Sequence, residues 1–176
     1  MDIEWITVEP GKVFIGSDNR SILFGGIGPR HEVKIDYNYE ISYLPVSSKI
    51  SKKFLESKDC YIASESEWSL AMKRKLIFGN NQVEELSDRI RGSYWSKYCD
   101  GRPFIEDNWL MKVSRTWISE TPSITSIPKG EKSEYVRLVR RLDVEYNDSS
   151  APKLPNSSDK SKLLLEEFMI SLIIGI

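Results

Sequence analysis

Histidine and cysteine, the side chains found most often in metal and redox sites, are scarce in this chain. Its 176 residues include one histidine, His31, and two cysteines, Cys60 and Cys99. The cysteines are far apart and neither belongs to a CxxC pair, so they do not form a disulfide framework. We expect two reduced thiols, with one disulfide between them as the alternative. His31 is expected to be structural, because no serine or cysteine nucleophile motif accompanies it.

An excess of charge of one sign is also missing. The chain has 25 Lys and Arg residues against 26 Asp and Glu residues, a net charge of -1. Nucleic-acid-binding domains concentrate basic residues on one face, so the composition excludes nucleic acid as the expected partner. No basic and apolar leader opens the sequence, and we therefore expect a cytoplasmic protein.

Long apolar runs are limited to one segment near the end. Residues 162–176 are densely apolar, but they are fewer than the roughly 20 residues that span a bilayer, so we expect no transmembrane segment. On a helix their apolar side chains cover most of the circumference, and such a helix must be surrounded. We expect it to dock on a protein partner or a second copy of the chain. The alternative is that it packs against its own domain.

The first part of the chain predicts strands. Residues 5–8 and 13–15 are rich in β-forming side chains and flank the turn pair Pro10-Gly11, which predicts an N-terminal hairpin. Residues 31–41 place an apolar side chain at every second position, the period of one half-buried strand.

Two helices are predicted next. Residues 46–57 change to a helical period, with Ser47 or Ser48 as the cap. The second helix is better marked, since Ser64 followed by Glu67 forms a capping box. Trp68 then begins an apolar face that continues through Met72 and Leu76. That face is expected to pack on a sheet.

The second half has weaker patterns. Residues 79–134 are predicted to be irregular, apart from a strand at 113–118, and residues 134–141 alternate as a closing strand. The sequence therefore predicts a domain at 1–143, a linker rich in Ser, Asn, Asp and Pro at 144–161, and a C-terminal apolar helix at 162–176. The expected fold class is α+β, with a twisted, mostly antiparallel sheet, two helices and long loops.

Several phrases of the sequence occur in one order. They are Trp5-Ile-Thr-Val-Glu-Pro-Gly-Lys-Val-Phe-Ile-Gly-Ser-Asp, His31-Glu-Val-Lys-Ile-Asp, Tyr39-Glu-Ile-Ser-Tyr-Leu-Pro-Val-Ser-Ser, Tyr61-Ile-Ala-Ser-Glu-Ser-Glu-Trp-Ser-Leu-Ala-Met and, near the end, Glu134-Tyr-Val-Arg-Leu-Val-Arg-Arg. Together they resemble the formylglycine-generating enzyme, or sulfatase-modifying factor, family. The resemblance covers about residues 3–142 and implies a C-type-lectin-like fold.

The chemistry of that family depends on residues that this chain lacks. The resemblance implies a copper site built from two neighbouring cysteines in the second half of the domain, but residues 100–176 contain no cysteine. A related branch binds iron through three histidines, which a single histidine excludes. We therefore expect a divergent, non-catalytic member without a cofactor. Two alternatives stay open: copper or thiol-oxidase chemistry at Cys60 or Cys99, and calcium at Glu106-Asp107-Asn108, which is similar to a lectin motif.

Aromatic and arginine side chains in residues 91–117 are the remaining candidates for a binding site. Those predicted to bind a ligand are Arg91, Tyr94, Tyr98, Arg102, Trp109 and Arg115. Tyr, Trp and Arg dominate binding hot spots, and loops on a rigid base often carry them. The alternative is that large side chains bury an irregular segment, and Trp95 and Trp117 are expected in the core. The leading hypothesis is thus a domain that binds a protein or small ligand through this loop face.

Overall fold

The computed structural model describes residues 2–17, 27–50, 52–79, 81–116 and 123–156. Within these ranges the chain forms strands and two helices. In chain order they are β1 Trp5–Val8, β2 Gly11–Ile15, β3 His31–Ile35, β4 Tyr39–Ser42, β5 Val46–Ser47, α1 Lys52–Ser57, β6 Tyr61–Ile62, α2 Glu65–Lys73, β7 Val83–Ile90, β8 Met111–Thr116, β9 Ser123–Pro128, β10 Tyr135–Val136 and β11 Leu138–Arg141. The architecture is α+β, as the sequence predicts.

The strands of these ranges form three sheets. A four-stranded sheet has the order β1-β4-β11-β6, a five-stranded sheet has the order β5-β10-β7-β8-β9, and β2 pairs with β3. All of these pairings are antiparallel except that between β10 and β7. The chain passes from the five-stranded to the four-stranded sheet at Arg137, which separates β10 from β11. The predicted closing strand at 134–141 is therefore two short strands in different sheets.

The predicted N-terminal hairpin is wrong. β1 pairs with β4, and β2 pairs with β3, so the turn at Pro10-Gly11 moves the chain from one sheet to another. Residues 31–41 likewise divide between two sheets. Burial alternates without interruption from His31 through Tyr39, because the residues between β3 and β4 keep the same alternation. Periodicity alone could not reveal the break.

The strands β7 and β9 were not predicted. β7 contains Glu84, Glu85 and Asp88, all of which are buried. Because this segment has three carboxylates and few apolar residues, its sequence does not show the apolar pattern of a buried strand. β9 occupies part of a segment predicted to be a loop because of its prolines, and Pro128 lies at its end. The predicted helix at 46–57 is shorter, since only Lys52–Ser57 is helical and residues 46–47 form β5.

The helix α2 begins as the sequence predicts. The Ser64 hydroxyl accepts a hydrogen bond from the amide of Glu67 at 3.1 Å, and the Glu67 carboxylate accepts one from the amide of Ser64 at 2.8 Å. This is a complete capping box. Trp68 is fully buried, and its indole N–H donates to Glu84 at 3.1 Å. The apolar face of α2 therefore lies in the core, as predicted.

A buried ion pair ties the two larger sheets together. Arg137 and Glu84 have no exposed side-chain surface, and two guanidinium nitrogens lie 2.6 and 2.8 Å from the carboxylate oxygens. The guanidinium also donates to the backbone carbonyls of Ser42, Tyr43 and Phe78. A buried charge is tolerated when it is paired and its remaining donors are satisfied. Arg137 meets both conditions at the crossing point of the chain.

The described part of the predicted linker packs against the domain. The amide of Cys99 donates to the carbonyl of Pro152, the amide of Leu154 donates to the carbonyl of Lys97, and the amide of Ser96 donates to the carbonyl of Pro155. Residues 157–161 and the predicted docking helix at 162–176 lie outside the described residues. Of the helices that the structure describes, neither has the length and apolar character needed to cross a membrane.

We expect Trp68→Ala to destabilise the fold by about 3–5 kcal/mol, since it removes a fully buried indole and its hydrogen bond to Glu84. Denaturant unfolding measures the change. Phe78→Ala is the matched control, because the Phe78 side chain is 47% exposed. Equal midpoints for the two variants would show that Trp68 does not hold the core together.

Candidate functional site

A concave pocket beside residues 143–152 is the leading candidate for a binding site. Its volume is about 410 Å³, within the usual range for small-ligand sites. Its charged lining residues are four carboxylates and one ammonium group: Asp36, Asp100, Asp143, Glu145 and Lys34. Two tyrosines, Tyr37 and Tyr146, also line it. We call this the acidic pocket.

The floor of the acidic pocket rests on a hydrogen-bonded chain. The Tyr37 hydroxyl donates to the Glu67 carboxylate at 2.9 Å, and the hydroxyls of Tyr37 and Tyr146 are 3.2 Å apart. Because the Tyr37 proton is directed to Glu67, the Tyr146 hydroxyl is the donor in this second bond. Arg141 donates to both oxygens of Glu67, at 2.7 and 2.9 Å. Glu67 thus fixes the tyrosine pair from below.

Both phenols stay protonated at neutral pH. Burial, followed by the charge of Glu67, raises the pKa of Tyr37 far above its ordinary value. Burial also raises the pKa of Tyr146. The two rings pack edge to face with centroids 5.9 Å apart. The pocket therefore presents neutral tyrosine rings beside acidic side chains.

An arginine is held at the rim of the acidic pocket. The guanidinium carbon of Arg102 lies 3.9 Å from the centroid of the Tyr98 ring and 4.9 Å from that of Tyr146. Arg102 forms an ion pair with Asp100 at 2.7 Å and another with Asp148. Burial opposes its charge, but the hydrogen bonds to the two carboxylates prevail and raise the pKa of Arg102. The carboxylates and tyrosine rings around Arg102 therefore already bind one cation, its guanidinium group.

The structure divides the predicted ligand-binding residues among three places. Tyr98 and Arg102 meet at the rim of the acidic pocket. Arg91 is exposed, and Trp109 is partly buried between Arg89 and Lys129. None of these four residues lines the acidic pocket itself, although Arg102 contacts Asp100 and Tyr146, which do.

The other two predicted residues, Tyr94 and Arg115, are buried rather than displayed on a loop face. Both contact Glu65. The Tyr94 hydroxyl donates to one carboxylate oxygen at 2.7 Å, and a guanidinium nitrogen of Arg115 lies 2.9 Å from the other. The alternative reading, that large side chains bury the segment, holds for Tyr94, which has no exposed surface. Trp95 is only partly buried, so it is less central than predicted, and Trp117 lies outside the described residues.

Most of the acidic pocket was missed from the sequence. Asp143 is the last residue of the predicted domain and Glu145 falls at the start of the predicted linker, while Asp36 and Tyr37 fall in the predicted continuous strand. One signal was available: Tyr146 is unusual in a flexible linker, which is normally poor in aromatic side chains.

Ionisable groups cluster in the core behind the pocket. The Lys97 ammonium donates to His31 Nε2 at 2.9 Å and to the Ser66 hydroxyl at 3.4 Å, and His31 Nδ1 donates to the carbonyl of Pro29 at 2.8 Å. The His31 ring is therefore neutral, with its proton on Nδ1. Asp88 accepts hydrogen bonds from two backbone amides, and burial raises its pKa to about 6. Lys97 is 1% exposed, which favours a structural role for this network.

The two cysteines are free, buried and in different surroundings. Cys60 lies near Arg140 and Glu40, whereas Cys99 contacts the backbone of Lys97 and Leu154. Burial raises the pKa of both thiols. Among the described residues, no three His, Cys, Asp or Glu side chains are grouped so that they could hold a metal ion.

Comparisons of the chain with family models, with curated proteins and with solved structures gave no match. The function is therefore argued from the geometry of the molecule.

We expect the single histidine to titrate far below its ordinary range. Burial, followed by the charge of Lys97, lowers the pKa of His31 to about 4 from 6.5. Between these values the unfolded chain binds a proton that the folded protein does not, so the stability contributed by His31 falls as pH is lowered from 6.5 to 4. The ring resonances in an NMR titration report this pKa directly.

A variant isolates the effect on stability, because Asp88 acts in the opposite direction over part of this range. Its folded pKa is raised to about 6, so its contribution grows as pH falls from 6 toward 3.8. The free energy of unfolding of wild type minus that of His31→Gln cancels the Asp88 effect. This difference should fall by at most about 1.4 kcal/mol per pH unit. A flat difference would contradict the assignment.

Proposed function

We propose that the chain is a non-catalytic binding domain that recognises an organic cation in the acidic pocket. The observation that carries the proposal is the lining of the pocket, in which carboxylates outnumber ammonium groups four to one beside two tyrosine rings. Asp100 is already paired with Arg102. Asp36, Asp143 and Glu145 remain to face a ligand, against Lys34 alone.

Tyrosine rings and carboxylates act together on such a ligand. A cation above an aromatic ring is attracted to the face of the ring, and the attraction is stronger when water is excluded. Tyr37 and Tyr146 supply the rings, and their position is fixed through Glu67. Arg102, placed between Tyr98 and Tyr146, is an internal example of the same chemistry. A guanidinium or ammonium group of a ligand would repeat it.

The family resemblance extends the proposal to ancestry. We propose a divergent, formylglycine-generating-enzyme-like domain of C-type-lectin-like fold. The phrase at 61–72 supports this, since its Ser64 and Glu67 form the capping box of α2. The phrases at 39–48 and 134–141 also meet, because β4 pairs with β11. The alternative of a relocated thiol oxidase requires a reactive thiolate, and the raised pKa of both buried thiols favours the binding function.

Titration with arginine amide tests the proposal; its α-amino group is acetylated, so that the guanidinium is its only charge. We expect saturable NMR shifts in the residues that line the acidic pocket, and weaker binding at higher salt because surface charges are screened. Citrulline amide, acetylated in the same way, has nearly the same shape but no charge and should not bind. A peptide with one arginine among glycine and serine residues distinguishes a partner protein from a small cation: tighter binding of the peptide indicates a protein ligand.

A double variant, Asp143→Asn with Glu145→Gln, should weaken arginine amide about three- to tenfold, since each exposed carboxylate contributes up to about 1 kcal/mol. Asn suits position 143, whose φ of +50° lies in the left-handed region that Asn tolerates. Asp107→Asn is the control, because Asp107 is exposed and outside the pocket. Unchanged affinity in the double variant, or equal binding of citrulline amide, rejects the proposal.

The apolar segment 162–176 supports a second proposal, that the chain also assembles through it. An apolar patch of that extent in water favours association. Deleting residues 162–176 should convert an oligomer into a folded monomer, as measured by mass in solution. A full-length monomer whose truncated form aggregates would instead place the segment in the core of its own domain.

A further inference from the structure

A second cavity lies between β2 and α2, and its charge is opposite to that of the acidic pocket. Its volume is about 300 Å³. The lining residues that matter here are Val13, Phe14, Ser69, Met72, Lys73 and Arg115. Two of them are cationic, none is acidic, and three are apolar. We call this the basic cavity.

Arg115 is a buried cation of the basic cavity whose hydrogen bonding is incomplete. Its side chain is 8% exposed. One terminal nitrogen lies 2.9 Å from a Glu65 oxygen and donates to the Ser69 hydroxyl at 3.1 Å. Among the described residues, Nε of Arg115 has no hydrogen-bond partner. The Glu65 oxygen, Oε1, has none there either, because its contact with Arg115 is an ion pair without hydrogen-bond geometry. An orphaned buried N–H is costly, so a structural ion pair would normally be complete.

The mouth of the basic cavity adds positive charge. Lys73 is exposed there, and its ammonium group donates to the backbone carbonyl of Lys12 at 3.2 Å. The Arg30 guanidinium stacks on the ring of Phe14 at 3.9 Å. The acidic side chain nearest to Arg115 is that of Glu65, which is fully buried. Its other oxygen accepts a hydrogen bond from the Tyr94 hydroxyl. Lys73 and Arg115 line the basic cavity, whereas no carboxylate does.

The apolar side chains of the lining indicate that the ligand also has an apolar part. Phe14 is 50% exposed, so its ring is accessible from the solvent. Val13 is buried, and Met72 is partly buried beside it. The cavity thus combines these apolar residues with the polar side chains of Arg115 and Ser69. Apolar walls with a few convergent polar groups are typical of small-ligand sites.

We propose that the basic cavity binds a small carboxylate that carries an apolar group, with the carboxylate toward Arg115, Ser69 and Lys73 and the apolar group against Phe14 and Met72. This site is separate from the acidic pocket, since the two share no lining residue. The proposal therefore stands or falls independently of cation binding.

Benzoate is the probe, and benzyl alcohol is its neutral counterpart of similar shape. The full chain is titrated with each while the methyl resonance of Met72 is followed by NMR. For a ligand of this size we expect benzoate to saturate with a Kd of about 1 mM. Benzyl alcohol should bind at least about tenfold more weakly, because it lacks the charge that the cations recognise.

Two surface variants locate the binding without threatening the fold. Lys73→Gln should weaken benzoate about threefold, the effect of one exposed charge. Phe14→Ala should weaken it about fivefold through lost apolar contact. Lys53→Gln is the matched control, an exposed lysine on α1 that does not line the cavity. Arg115→Lys, checked for a native melt, should weaken benzoate about tenfold, since lysine cannot replace the fork of the guanidinium.

Three outcomes overturn the proposal. One is the absence of a saturable Met72 shift at benzoate concentrations of about 20 mM, far above the expected Kd. Another is equal binding of benzyl alcohol, which would make the cavity a mere apolar cleft. The last is benzoate binding that Lys73→Gln and Phe14→Ala leave unchanged, which would place the ligand elsewhere.

Discussion

The carboxylate of Glu67 is the group on which the structure most depends. It has no exposed surface, and a carboxylate has about four acceptor sites. All four are used: the amide of Ser64, the hydroxyl of Tyr37 and two nitrogens of Arg141 donate to it. These donors come from the start of α2, the segment between β3 and β4, and the end of β11. One side chain therefore joins a helix cap to two sheets and to the floor of the acidic pocket.

Two further buried carboxylates repeat this arrangement. Glu84 pairs with Arg137 where the chain crosses between the larger sheets, and Glu65 pairs with Arg115 from β8. Each pairing joins residues distant in sequence. Removing one partner of a buried pair leaves an uncompensated charge, at a cost of about 3–5 kcal/mol. The net stability of such a pair is small, but the penalty for a wrong pairing is large, so the pairs select one mutual arrangement of helix and sheets.

Local signals in the sequence predicted local features well. The cap of α2 was predictable because Ser64 and Glu67 are three residues apart and the two hydrogen bonds of the capping box run directly between them. β7 was not, because its buried Glu84 and Asp88 are stabilised by partners distant in sequence: Arg137 and Trp68 for Glu84, and the amides of Glu65 and Phe104 for Asp88. Those partners are brought together by the fold. The same holds for the acidic pocket, where Asp36 and Glu145 meet only after residues 143–156 pack back on the domain.

The first turn of α2 connects the two proposed sites through Glu67 and Glu65, and these two carboxylates differ in how completely they are hydrogen-bonded. Glu67 supports the acidic pocket with every acceptor site filled, so the tyrosines above it are held in place before any ligand arrives. Pre-organisation of this kind lowers the cost of binding. Glu65, two residues earlier, faces Arg115 with one oxygen and one guanidinium N–H left without a hydrogen bond. Acidic side chains in this turn are favoured by the dipole of the helix, which explains why both carboxylates begin α2. The fully hydrogen-bonded carboxylate of Glu67 thus lies beneath the acidic pocket. An incompletely bonded pair lies beneath the cavity that presents positive charge, where a ligand carboxylate would supply the missing acceptor.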